Sequence, residues 1–176
     1  MPTAPEFKEV YDRHARMVFN LCLNYLQNRQ DAEEVTQDVF VKVHDGMSEF
    51  RGEAALRTWI YRIAINSCLD RLKAAKREKR SVWRMLGFTS DGTERIAGSN
   101  FDHPGVRMEQ REATERIFEH INMLPPQQKA ALVLKTMEGL SQNEVAEVMG
   151  TSAKAVESLL SRARQQLKKD IGNTEG

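Results

Sequence analysis

Apolar side chains recur every three or four positions along most of this 176-residue chain. This spacing predicts a first helix over residues 6–28 and a second over residues 31–45, separated by a short polar break. It predicts further helices from about 54 to 80, over 107–123, and from Pro125 or Pro126 onward. No stretch alternates apolar and polar residues with a period of two, so an all-α fold is expected.

Short polar motifs mark where some of these helices are expected to begin. Asp31 is predicted to cap the second helix, because Glu34 follows three residues later in the position of a capping box. Val35, Val39 and Val43 then form the buried stripe of that helix. The polar residues between them are predicted to be exposed.

The end of the chain has the pattern of a helix, a glycine turn and a second helix. Ser141 and Glu144 form a predicted capping box at the first of these helices. Gly150 is placed where the chain must become left-handed, and Thr151 or Ser152 can cap the next helix. This pattern is typical of a helix-turn-helix, whose second helix enters the DNA major groove. An ordinary helical hairpin with a solvated basic face fits it as well.

The region between the helical segments has a different composition. Residues 81–106 contain four glycines and a proline and show no sustained period. We therefore predict two small helical domains, at 1–78 and 107–176, joined by a flexible linker over 79–106.

Charge is distributed unevenly, although the net charge of the chain is only +1. Residues 1–50 hold five basic and nine acidic side chains, whereas residues 51–84 hold ten basic and three acidic ones. An acidic block next to a basic block indicates two different partners, although random clumping also produces such blocks. Within the basic block, Trp59 and Tyr61 stand among the cations, as in proteins that bind single-stranded nucleic acid. Core packing is an equal interpretation of Trp59.

Several classes of function are disfavoured. Cys22 and Cys68 form no CxxC pair, and the four histidines lack the spacing of metal ligands, so neither a metal nor a cofactor is expected. We find no nucleophile–base pairing and no phosphate-binding glycine loop, so an enzyme with a small-molecule substrate is not expected. The chain has neither an apolar run of roughly 20 residues nor a signal peptide, which predicts a cytoplasmic protein without membrane insertion.

Three stretches cover nearly the whole chain apart from the linker: DAEEVTQDVFVKV, FRGEAALRTWIYRIAINSCLDRLKAAKR and LPPQQKAALVLKTMEGLSQNEVAEVMGTSAKAVESLLSRARQQL. In their order and spacing, they resemble the extracytoplasmic-function (ECF) sigma factors of bacterial RNA polymerase.

The resemblance implies a division of labour among these stretches. The first would bind core RNA polymerase through Asp31, Glu34, Gln37, Asp38 and Lys42. The second would recognise the promoter's minus-ten element as melted single strand through Phe50, Trp59, Arg62, Asn66, Arg71, Lys73 and Lys76. The third would read the minus-thirty-five element as duplex through Ser152, Lys154, Glu157, Ser158, Ser161, Arg162 and Arg164. An anti-sigma factor is the further partner that the resemblance implies.

One departure from the family affects promoter choice. Glu157 and Leu159 stand where the family often has Lys and Arg. A carboxylate repels phosphates but can accept a hydrogen bond from the amino group of cytosine. A promoter preference shifted from the family's common one is therefore expected.

Two other classes of protein remain as alternatives to a sigma factor. A stand-alone helix-turn-helix regulator would bind duplex as a dimer, but it leaves the basic, aromatic helix of the first domain without a role. An all-helical interaction module would have no role on DNA. Transcription with core polymerase and a promoter library separates the three, because only a sigma factor gives promoter-specific initiation.

Overall fold

The computed structural model of this chain describes residues 6–87 and 108–174. Its helices are α1 (Phe7–Leu26), α2 (Arg29–Gly46), α3 (Glu53–Met85), α4 (Met108–Asn122), α5 (Pro126–Leu132), α6 (Gln142–Met149) and α7 (Ala153–Thr174). A 3-10 turn, Met47–Glu49, follows α2, and a π-helical turn, Val133–Met137, follows α5. The described ranges contain no strand, and the predicted all-α fold is confirmed. Most of the predicted linker lies outside the described residues.

The first domain consists of α1, α2 and α3 packed around a shared apolar core. The buried stripe predicted on α2 is present, and it faces α1 and α3. Fully buried members of this core are Val18, Leu21, Tyr25, Val39, Val43, Ile60 and Ile65. The two cysteines also lie inside it, as free thiols.

The predicted cap of α2 is wrong. Gln27 ends α1 in the left-handed conformation (φ 55°), and its N–H donates to the Leu23 carbonyl at 2.9 Å. Asn28 follows in an extended conformation, and its side chain accepts from the Asp31 N–H at 3.0 Å. The helix therefore begins two residues earlier than expected, because Asn28 is already placed to satisfy a free backbone donor. The carboxylate of Asp31 is left for another partner.

Helix α3 is longer than its apolar pattern indicates. It continues to Met85, beyond the expected end near Arg80, and it enters the predicted linker. Alanine, lysine, arginine and glutamate dominate its second half, and all four favour helix even without tertiary packing. From Lys76 to Gly87, every residue whose side chain is described is exposed. The second half of α3 therefore extends beyond the core of the first domain.

The second domain consists of α4 to α7. The predicted capping box is confirmed: the Ser141 hydroxyl accepts from the Glu144 N–H at 3.2 Å, and the Glu144 carboxylate accepts from the Ser141 N–H at 2.7 Å. Gly150 ends α6 with φ 66°. Ser152 then caps α7 by accepting from the Ala155 N–H at 3.1 Å. These local bonds fix the turn of the helix-turn-helix.

The two domains are packed against each other. Helix α3 lies against α6, and α1 lies against the π-helical turn. One connected set of buried apolar residues runs through both domains. The position of α6 on α3 bears directly on the predicted binding surfaces.

Candidate binding surfaces

The outer side of α2 presents a row of exposed polar side chains. Glu34, Gln37, Asp38 and Lys42 are exposed, while the valine stripe on the other side of the helix is buried. Lys42 also donates to the Ser67 hydroxyl of α3 at 3.0 Å. Four of the five residues predicted to bind polymerase thus share one accessible surface.

The fifth, Asp31, forms an ion pair with Arg71 of α3. The Arg71 guanidinium donates to Asp31 Oδ1 from Nη2 at 2.6 Å and from Nε at 3.1 Å. Glu34 Oε2 lies 3.5 Å from the same guanidinium. The hydrogen bond with Asp31 raises the pKa of Arg71 further above its ordinary value. The structure therefore brings together two residues predicted for different surfaces, and their pairing ties α2 to α3.

Phe50 and Trp59 form a stacked aromatic pair at the start of the predicted minus-ten surface. Their ring centroids are 4.9 Å apart, and the ring planes differ by 25°. Both residues are partly buried, and the Trp59 ring also lies against the backbone of Gly46. The packing interpretation of Trp59 is therefore correct, whereas base contact by its ring stays a prediction.

Farther along α3, the predicted contacts lie on an accessible side. Asn66, Lys73 and Lys76 are exposed. Arg62 is exposed as well, but its guanidinium donates to the main-chain carbonyl of Glu147 in α6. The second domain thus engages Arg62, one of the residues predicted to contact the minus-ten strand.

Helix α7 separates a buried side from an accessible one. Val156, Leu160 and Ala163 are buried against the rest of the second domain. All the residues predicted to read the minus-thirty-five element are exposed: Ser152, Lys154, Glu157, Ser158, Ser161, Arg162 and Arg164. Between Ser152 and Lys169 the helix carries five basic residues and one acid, Glu157, so the accessible side has the charge that a phosphate backbone attracts.

Sequence reasoning missed a set of polar residues between the domains. Tyr25 and Lys129 contact each other there, and Glu138 accepts hydrogen bonds from Asn24 and Tyr61. The sequence did contain one signal of this interface. Lys129 is a cation that stands four positions before Val133, and this spacing puts it on the apolar side of its helix. A buried lysine is unusual enough to mark a contact.

Neither a metal site nor a membrane-crossing helix is found in the part of the chain that the structure describes. Within residues 6–87 and 108–174, no three His, Cys, Asp or Glu side chains are grouped so that they could hold a metal ion. Over the same ranges, no helix is both long and apolar enough to cross a membrane.

Comparison with known protein families matches both domains. Sigma-70 region 2 matches residues 10–78, and Sigma-70 region 4 matches residues 114–167. The first match covers α1, α2 and most of α3, and the second covers the helix-turn-helix. The order of the two regions agrees with the order of the two domains.

Individual proteins resemble the chain over almost its entire length. An ECF RNA polymerase sigma-E factor of Haemophilus influenzae is 31% identical over 168 residues, which cover 94% of this chain and 87% of the relative. The ECF RNA polymerase sigma factor SigM of Mycobacterium tuberculosis is 30% identical over 166 residues, which cover 94% and 77%.

Solved structures share the fold. The sigma factor RpoE from Bartonella quintana, crystallised with the anti-sigma factor NepR, matches with a TM-score of 0.66 and 19% identity, over 95% of this chain and 97% of that one. With both regions, the fold and full-length relatives in agreement, the chain belongs to the ECF sigma factors of bacterial RNA polymerase.

Proposed function

We propose that this protein binds core RNA polymerase through α2, recognises the melted minus-ten element through α3, and reads the minus-thirty-five element through α7. The observation that carries the proposal is the exposure of most of the residues assigned to each task, on three different helices of one chain. Initiation at specific promoters requires all three contacts. The chemistry of RNA synthesis belongs to the polymerase.

Gln37 and Asp38 are the centre of the proposed polymerase contact. Both are exposed near the middle of α2, while the opposite stripe of the helix is buried and fixes its orientation. The carboxylates of Glu34 and Asp38 favour a basic partner surface. Asp31 contributes indirectly, because its ion pair with Arg71 holds α2 against α3.

Helix α3 combines what recognition of a melted strand requires. Unstacking a base costs a few kcal/mol, so the site must return stacking and base-edge hydrogen bonds. Asn66 is exposed and can form two hydrogen bonds with a base edge. Lys73 and Lys76, about two and three turns farther along, can hold phosphates. The stacked pair of Phe50 and Trp59 lies at the start of this surface.

Helix α7 does not need to bind DNA tightly by itself. The polymerase would hold both domains on one promoter, which raises the effective concentration of α7 at its site. The charge of +4 from Ser152 to Lys169 is modest. Arg162, Arg164, Ser158 and Lys154 are the proposed main contacts, and Glu157 is proposed to act on selectivity.

Control by an anti-sigma factor is part of the proposal. The sigma factor RpoE of Bartonella quintana, which shares the fold of this chain, was crystallised with the anti-sigma factor NepR. An anti-sigma factor acting on this chain would have to cover the surface on α2 or those on α3 and α7.

Transcription in vitro with core polymerase and a promoter library tests the function, and mapping the start sites reveals the promoter. Asn66→Ala should impair open-complex formation more than polymerase binding. Asn20→Ala, at an exposed position of α1, is the matched control and should change neither. Equal loss of both activities in Asn66→Ala would indicate misfolding, and binding to duplex as a dimer without polymerase would indicate a stand-alone regulator.

A further inference from the structure

A side-chain hydrogen bond joins the two helices of the helix-turn-helix at their first residues. Gln142 is the first residue of α6, and Ala153 is the first residue of α7. The Gln142 amide donates from Nε2 to the main-chain carbonyl of Ala153 at 2.8 Å, and Gln142 is itself partly buried. Because a carbonyl only accepts, it must face the NH2 group of the amide and not its oxygen. The bond therefore fixes the orientation of this side chain.

This bond holds the end of α6 that the turn does not hold. At the other end, the Gly150 and Thr151 N–H groups donate to the carbonyls of Glu147 and Ala146 at 3.3 and 2.9 Å. Between the two ends, the buried residues of the packed helices are apolar. Apolar packing has no preferred direction, whereas a hydrogen bond depends on distance and angle. Gln142 thus supplies a directional constraint on the angle between α6 and α7.

The bonded carbonyl belongs to the turn of α7 that begins the proposed reading surface. Ala153 directly precedes Lys154, and in an α-helix its carbonyl also accepts the N–H of Glu157, four residues on. A carbonyl has two lone pairs, so it can serve the Gln142 amide and the helix together. Lys154 and Glu157 are both exposed, and both are proposed to contact the minus-thirty-five element. Gln142 is therefore attached to the part of α7 that carries them.

The angle between the two helices determines where this part of α7 lies on DNA. In a helix-turn-helix, the first helix crosses the DNA backbone while the second enters the major groove. A pivot of α7 on α6 would shift its first turn relative to the base edges, and hydrogen bonds weaken beyond about 3.2 Å. Contacts with phosphates carry no sequence information, so a change in them would not alter base preference. Loss of the constraint should therefore appear as weaker discrimination between bases.

We propose that Gln142 is a positioning residue for promoter selection. Its bond to Ala153 holds the first turn of α7 in the orientation in which Lys154 and Glu157 meet their bases. Gln142 acts through α7 and contacts no base itself. This inference rests on the proposed role of α7 in reading the minus-thirty-five element.

Gln142→Met tests the proposal in the full chain, because it removes the donor and nearly preserves the length of the side chain. Transcription with core polymerase and promoters randomised in the minus-thirty-five element measures the use of each sequence relative to the best one. Discrimination should fall roughly three- to tenfold at the base positions that also respond to Glu157→Lys or Lys154→Met. Discrimination within the minus-ten element should stay unchanged. Gln110→Met, at an exposed position of α4, is the matched control and should change neither quantity.

Two further substitutions separate the hydrogen bond from the size of the side chain. Gln142→Glu presents only acceptor oxygens to the Ala153 carbonyl at neutral pH, so it should lose at least as much discrimination as Gln142→Met. Gln142→Lys restores a donor and should recover part of the loss, and Asn143→Lys at the exposed neighbouring position controls for the added charge. Thermal unfolding measures the stability of each variant. Since discrimination is a ratio between promoters, a smaller folded fraction lowers all of them together and cannot produce the expected loss.

Unchanged base preference in Gln142→Met would overturn the inference. A uniform loss of affinity for every promoter would overturn it as well, because that result would indicate a direct contact between Gln142 and phosphate. Failure of the proposed function has a different signature, since initiation by the unaltered protein would then not depend on the sequence of the minus-thirty-five element. If only the inference fails, that dependence persists.

Discussion

The ammonium of Lys129 lies 4.3 Å from the centre of the Tyr25 ring, although the two residues belong to different domains. The pKa of Lys129 is lowered from its ordinary value of 10.5 to about 8. Burial is the main cause, Cys68 acts in the opposite direction, and the nearby Lys76 adds to the lowering. If the second domain separates from the first, this ammonium returns to water. The protonation of Lys129 and the docking of the domains are therefore linked.

Docking should strengthen as the pH rises from 7 to 9. The pKa of Lys129 is lower when the domains are packed together than when they are apart, so the packed state binds this proton more weakly. The free-energy cost of packing the protonated lysine is therefore fully present below pH 8. It fades as the pH rises from 8 toward 10.5, and in total it is worth up to about 3 kcal/mol. Tyr25 and Cys68 keep their protons in this window, because burial raises the pKa of both. A radius of gyration that falls between pH 7 and 9 is the expected observation.

Lys129→Met gives the matching control. It removes the titrating group, keeps the length of the side chain, and should make the protein compact at pH 7 with no further change up to pH 9. Lys154→Met, on the exposed side of α7, should retain the pH dependence of the unaltered protein. A pH response that survives Lys129→Met would assign it to another group.

Predictions were correct where the interacting residues are close in sequence, and they failed where the interacting residues are far apart in sequence. Ser141 and Gly150 were predicted correctly, because a capping box and a left-handed turn depend on neighbours within four residues. Asp31 was predicted wrongly as a cap, because its carboxylate pairs with Arg71, 40 residues away. Glu138 gave no signal at all, since Asn24 is 114 positions distant and only the docking of two domains brings them together.

Asp31→Asn should destabilise the first domain while leaving the exposed surface of α2 intact. The substitution removes the charge that receives two hydrogen bonds from Arg71. Both side chains are about one-third exposed, so the expected loss is only about 1 kcal/mol of the free energy of unfolding. Urea denaturation measures it. Glu33→Gln is the matched control, because Glu33 pairs with Arg29 and both of these side chains are more than half exposed. It should cost less than half as much.

Gly46→Ala should disturb the stacked pair at the start of the minus-ten surface. A Cβ at this position would lie 2.7 Å from Cζ2 of Trp59, so the ring would have to leave its position against Phe50. Alanine favours a helix over glycine by about 1 kcal/mol, whereas overpacking costs about 1–3 kcal/mol, so a net loss is expected. The near-ultraviolet circular dichroism of Trp59 should weaken in a Trp83→Phe background. Gly172→Ala has open space around the new Cβ and should not destabilise the protein.

Ser141→Ala should weaken the helix-turn-helix by about 1 kcal/mol, because the Glu144 N–H loses its acceptor. Two hydrogen bonds lower the pKa of Glu144: the larger effect is from the Ser141 backbone N–H and the smaller from the Ser141 hydroxyl. The contribution of Glu144 to the cap is therefore present above its ordinary pKa of 4.5 and is lost as the pH falls through the lowered value. Thermal unfolding at pH 7 and at pH 3 should show a smaller difference between variant and unaltered protein in acid. Ser48→Ala, at an exposed position before Phe50, is the control and should have no effect at either pH.

Glu157→Lys should change promoter choice more than overall affinity. Glu157 is exposed on α7 between Lys154 and Ser161, on the side proposed to enter the major groove. A carboxylate there accepts from a cytosine amino group, whereas a lysine donates to guanine, so one base position of the minus-thirty-five element should switch preference. A correct pair at that position is worth about 1–3 kcal/mol, which corresponds to roughly a 5- to 150-fold change in relative promoter use.

Sequencing of transcripts from a randomised promoter library measures the switch, and Glu112→Lys on the exposed surface of α4 controls for added charge alone. If both substitutions raised affinity equally and left the preferred sequence unchanged, Glu157 would act only through its charge, and the selectivity assigned to it would be wrong.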